Sequence, residues 1–138
     1  MKDAGGARRS AAAAVALDAL TLVLFVVIGR ASHDHGESPA GVVSTLWPFA
    51  CGLAAGWLLV RAAGRRVASL GAGIVVCVAT VALGMVLRVL AGQGTAAAFV
   101  GVATGFLGAV MVGGRLVLHL AGRWAGRRSA RRPASSRS

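Results

Sequence analysis

The chain has 138 residues, of which 57% are hydrophobic and 14% charged, whereas soluble domains are about 45–50% apolar and about 25% charged. The length leaves no room for a second soluble domain beside one compact bundle, and apolar residues gathered in long blocks exclude a core buried on one side only. Fifteen basic against four acidic residues give a formal charge of +11, but the basic residues flank the apolar blocks, which excludes a folded nucleic-acid-reading domain and makes anionic lipid headgroups the natural counter-charge.

Residues 1–10 form a short basic start with Lys2, Arg8 and Arg9. The first apolar block follows over 11–29, broken only by Asp18 and Thr21. A basic start, an apolar stretch and Gly29-Arg30-Ala31 also fit a cleavable signal, and Arg8-Arg9 a twin-arginine one. The length of the block and its acidic residue favour a retained helix. Residues 31–41 then read as a short polar loop on the far side, holding His33, Asp34, His35 and Glu37. Imidazoles and carboxylates so close together suit a divalent metal, but the spacing matches no metal motif, and a solvated loop is the plainer reading.

The second block covers 42–63, and Pro48 is expected in its opening turn, where a missing N–H costs nothing. Arg61, Arg65 and Arg66 precede the third block, 67–91. Gly92-Gln93-Gly94 reads as a tight turn into the fourth block, 95–121. Each block has roughly the 20 residues that cross about 30 Å of hydrocarbon as a helix, the form in which a spanning segment satisfies its own backbone. The expected fold is therefore all-α, a polytopic membrane protein with a four-transmembrane-helix bundle over 11–121. Residues 122–138, rich in Arg, Ser, Ala and Pro, are expected to be a disordered basic tail held near an anionic leaflet.

Orientation follows from the arginines. Twelve of the 15 basic residues lie before the first block, where the second gives way to the third, or after the fourth. The positive-inside rule puts that side, and with it both termini, in the cytoplasm of an inner-membrane protein.

Asp18 is the most informative single residue, because an ionisable group in a membrane helix costs about 2.5–3.5 kcal/mol and normally faces a partner or a cavity. It lies roughly 12 Å deep counted from Ser10, and Arg115 lies roughly 9 Å deep counted from Ala121. The two depths suit an ion pair, with His119 one turn below Arg115. Such a group either fixes the first helix against the fourth or forms a substrate or proton site; both readings stay open. Arg30 and Arg88, at the opposite ends of their blocks, either snorkel, pair with Asp34 or Glu37, or form an external anion site.

Gly52-x-x-x-Gly56 and Gly101-x-x-x-Gly105 place small residues on one helix face, as close helix packing requires. Each is followed by an aromatic residue and a leucine, a weak sign of a duplicated two-helix unit. Trp47 and Trp124 read as interfacial anchors. Cys51 and Cys77 fall inside apolar blocks and read as small packing residues rather than a disulfide or zinc pair.

Leu17-Asp18-Ala19-Leu20, Gly29-Arg30 with Ser32-His33, and Trp47-Pro48-Phe49 with Gly52, Gly56 and Trp57 make up one half of a wider pattern. Gly84-Met85-Val86-Leu87-Arg88, Gly94-Thr95, Phe99 and Val102-Ala103-Thr104 make up the other. Together, over roughly 14–120, they resemble the prokaryotic, actinobacterial-type membrane family known as domain of unknown function 3054. The resemblance implies a four-helix membrane protein with a retained first helix and carries no mechanism.

No nucleophile–base arrangement, phosphate-cradling loop or convincing metal cluster emerges, so neither an enzyme nor a cofactor is expected. The favoured reading is a structural or interaction component of the cytoplasmic membrane, touching anionic lipid and open to homo-oligomerisation. The alternative is a small oligomeric transporter or channel that uses Asp18, Arg115 and His119.

Overall fold

The computed structural model describes residues 3–31 and 38–130, and these are helical apart from short connections. Helix α1 spans Asp3–Ala31, α2 Pro39–Ala62, α3 Leu70–Leu90 and α4 Ala97–Ala130. Each contains a stretch of 21–24 residues apolar enough to cross a membrane, about 31–36 Å at 1.5 Å per residue. His33, Asp34, His35 and Glu37 lie outside the described residues, as do 131–138.

Serine caps start the middle two helices. The Ser38 hydroxyl accepts from the Gly41 amide with Pro39 as the first helical residue, and the Ser69 hydroxyl accepts from the Ala72 amide. Both end on a left-handed glycine. Gly64 has φ +63° and Gly92 φ +68°. After each, the chain folds back, Arg65 N donating to Val60 O and Gln93 N to Arg88 O. This is the Schellman closure that glycine permits without a Cβ penalty.

The four helices run alternately up and down in a ring, each packed against its neighbours in the order α1, α2, α3, α4 and back to α1. Both α1's start and α4's end therefore lie at one end of the bundle, here the terminal end, together with the α2–α3 connection. The other two connections form the distal end. Large apolar side chains of every helix, Leu24, Leu58, Val78 and Val102 among them, face outward. That is the reverse of a water-soluble surface and suits a lipid solvent.

The closest approach is between α2 and α3, and glycines create it. A Cβ on Gly52 would stand 2.8 Å from the Thr80 carbonyl oxygen, and one on Gly56 2.9 Å from the Val76 Cα. Gly84 leaves room for the Phe49 ring in the same seam. Toward the distal end all four phenylalanines of the chain converge. Phe25 lies 5.9 Å from Phe49, 5.8 Å from Phe99 and 5.9 Å from Phe106, centroid to centroid, within the range of favourable aromatic pairs.

Several expectations need correcting. Helix α1 begins at Asp3 rather than 11 and α4 runs to Ala130 rather than 121, because Ala and Arg sustain a helix beyond the apolar span. Helix α2 begins at Pro39 rather than 42, so Pro48 lies well inside it. Gly101 and Gly105 are exposed, and an added Cβ would meet nothing within 4 Å, so they pack no helix of this bundle. Spacing alone could not tell that glycine face from the Gly52–Gly56 one. Cys77 is buried but Cys51 faces outward.

Candidate functional site

The polar centre of the bundle is built on Asp18 of α1 and Arg115 of α4, which are 0% and 3% exposed. Arg115 Nη1 donates to Asp18 Oδ1 and Nη2 to Oδ2, both at 2.7 Å. Such a two-pronged, charge-assisted match is the strongest form of carboxylate recognition. The remaining donors are also used. Nη1 reaches the Met111 carbonyl at 2.9 Å, and Nε and Nη2 both reach the Val67 carbonyl at 3.3 Å. All five guanidinium N–H groups thus have an acceptor. On the other side, Trp57 Nε1 of α2 donates to Asp18 Oδ2 at 3.2 Å.

Local sequence explains how this cluster assembles. Gly73 of α3 lies beneath the arginine, where an added Cβ would come within 2.7 Å of Arg115 Cδ. A larger residue there would push the guanidinium off its partners. One turn from Asp18, the Thr21 hydroxyl turns back to its own helix, donating to the Leu17 carbonyl at 2.7 Å, so it does not compete for the carboxylate. The cluster joins α1, α2, α4 and the α2–α3 connection, with α3 as its floor. His119 departs from the expectation: it is exposed and stays outside the cluster. Four residues along a helix return close to the same face but not onto it, and α4 turns His119 outward.

Trp57 and Val67 were not legible as partners. The available signal was an indole inside an apolar block rather than at its end, since a buried indole N–H needs an acceptor.

The distal end carries a second polar group. Arg30 Nη1 of α1 donates to the Thr45 hydroxyl of α2 at 3.2 Å, and its guanidinium packs against Gly41. Arg88 of α3 donates to Gln93 Oε1 at 3.0 Å and lies 4.8 Å over the Phe99 ring. Gln93 Nε2 in turn donates to the Ser44 carbonyl at 2.8 Å. That last bond answers a specific vacancy: Ser44 stands four residues before Pro48, which has no N–H to give it. The α3–α4 turn thus repairs the proline break in α2 and fixes Arg88 through the same amide.

Two cavities flank the core. The distal one, about 420 Å³, is bordered by Arg30, Arg88, Thr45 and Thr95 above Phe25 and Phe99. The terminal one, about 540 Å³, is bordered by Arg8, Arg61, Trp57 and Val67. Asp18 and Arg115 line neither, because Trp57 and Val67 stand between the ion pair and the terminal cavity.

Neither the curated proteins nor the solved structures contain a match to this chain. A family model does match, over residues 15–118, which takes in Asp18, Trp57, Arg88 and Arg115, most of the first apolar span and the other three in full. The chain belongs to the family described as "Protein of unknown function (DUF3054)".

Proposed function

We propose that this protein is a multi-pass structural or interaction component of the cytoplasmic membrane, with both termini in the cytoplasm and neither enzymatic nor transport activity of its own. The observation that carries the reading is the full burial of the Asp18–Arg115 pair. A carboxylate that binds a proton or substrate in turnover needs access from water. Here both oxygens accept from Arg115 or Trp57 and the residue is 0% exposed. Basic residues at the terminal end, including Arg8, Arg61, Arg65 and Arg66, supply the attraction to anionic lipid, about 1 kcal/mol for each charge near the surface.

The test is reconstitution of the full chain into sealed proteoliposomes, with proton and monovalent-ion flux read by trapped dyes. The expected result is flux equal to protein-free vesicles, for wild type and for Asp18→Asn alike. Protein-dependent flux that Asp18→Asn abolishes would refute the structural role and make Asp18 a transport residue.

A further inference from the structure

We propose that the distal cavity is a binding site for a phosphate group, supplied either by a soluble phosphate or by a phospholipid headgroup. Four helices contribute to it, and its described charged groups are both cationic. Arg30 from α1 and Arg88 from α3 bring two guanidinium groups to one hollow of about 420 Å³, joined by the hydroxyl-bearing Thr45 and Thr95. The described lining contains no carboxylate. Arg88 itself is held by a neutral amide and an aromatic face, so its charge meets no acid among the described residues. Its Nε is buried and makes no hydrogen bond, a cost that a bound acceptor would relieve.

Placement adds to this. The connection Gly94-Thr95-Ala96 borders the hollow and leads directly into α4. The first N–H groups of a helix lack intrahelical acceptors and carry its positive end, and the first turn of α4 holds no acidic residue. The positive end of a 34-residue helix and two arginines therefore share one opening. The Gln93 bridge to Ser44 holds Arg88 in place before any ligand arrives. Planar guanidinium groups suit phosphate oxygens in pairs. The apolar floor of Phe25 and Phe99 suits the glycerol and upper acyl carbons of a lipid but is not required by a free anion, so the two sources are separable.

The experiment uses the full chain in a phosphate-free maltoside detergent. Inorganic phosphate is titrated calorimetrically in one arm. In the other, phosphatidylglycerol is added and retained lipid is counted by native mass spectrometry. Wild type is expected to bind at least one probe. Arg88→Gln should weaken that binding about tenfold or more, from loss of one charge-assisted contact. In the phosphate arm, Arg66→Gln, which removes the same charge at the exposed terminal end, should leave binding unchanged. Gly29→Leu provides a second route: an added Cβ there meets nothing within 4 Å and Gly29 lines the hollow, so the variant should fold, keep both arginines and block the site. Phosphate binding alone identifies a soluble anion, and phosphatidylglycerol binding alone a headgroup. Binding of neither probe, or equal weakening of phosphate binding by Arg66→Gln, or undiminished binding in Gly29→Leu, would overturn the proposal.

Discussion

Replacing Asp18 with leucine should be among the most damaging single changes available to this bundle. The substitution leaves Arg115 buried at 3% exposure, with its three contacts to the Met111 and Val67 carbonyls but no counter-charge. Breaking a buried pair on one side costs about 3–5 kcal/mol in soluble proteins. In a bilayer the unfolded helices also find polar partners, which pulls such values down, so about 3 kcal/mol is the working figure. Arg115→Met should cost a similar amount, because Asp18 keeps only the Trp57 N–H and Val67 loses its donor. The double variant replaces both charges by apolar groups of comparable size, and buried pairs exchanged in this way are often neutral. Its cost should therefore fall well short of the sum, by about 2 kcal/mol or more, at the upper end of couplings between contacting residues. Unfolding by titration with a denaturing detergent, with all four proteins in the same micelle, gives the cycle. Additivity within about 0.5 kcal/mol would show that Asp18 and Arg115 do not depend on each other, and the bidentate geometry would lose its energetic meaning.

Gly52→Leu should force α2 from α3 and destabilise by about 1–3 kcal/mol, while Gly101→Leu, on an open face, should stay within about 0.5 kcal/mol; equal effects in the same unfolding assay would contradict this packing. Gln93→Ala should cost about 1–3 kcal/mol by leaving the Ser44 carbonyl unsatisfied, and adding Pro48→Ala should recover part of the loss by restoring the helix's own donor; no recovery would show that the Gln93 bond is incidental. Alkaline phosphatase fused after Ala130 should be inactive, as expected for a cytoplasmic position, and an active fusion would overturn the orientation.

The apolar blocks announced all four helices, because length and hydropathy alone decide whether a segment can cross a bilayer. Ends were less legible. The C-termini of α2 and α3 fell near glycines whose left-handed turns stop a helix, but α4 ran on through Arg123 because nothing in its sequence forbids it. The Asp18–Arg115 approach was legible from depth, since a charged residue must find company inside a membrane. What depth could not supply was rotation about the helix axis. His119 has a suitable depth and the wrong azimuth, and Gly101-x-x-x-Gly105 has the spacing of a packing face turned outward. Gln93 was hidden for a different reason: its partner is a backbone carbonyl 49 positions away, and only the internal position of Pro48 makes that carbonyl available.

The ion pair also bears on how the chain is made. Asp18 and Arg115 are 97 positions apart, in the first helix and the last. During synthesis α1 reaches the membrane long before α4 exists, so its carboxylate spends most of translation without its cation. A first helix carrying such a charge has reason to linger at the insertion machinery or near the lipid surface rather than commit to the bilayer interior. The arrival of Arg115 removes that obstacle and closes the ring of helices in one event. A chain truncated before α4 therefore keeps an unneutralised acid in its first helix, with the insertion cost of a lone charge inside a membrane.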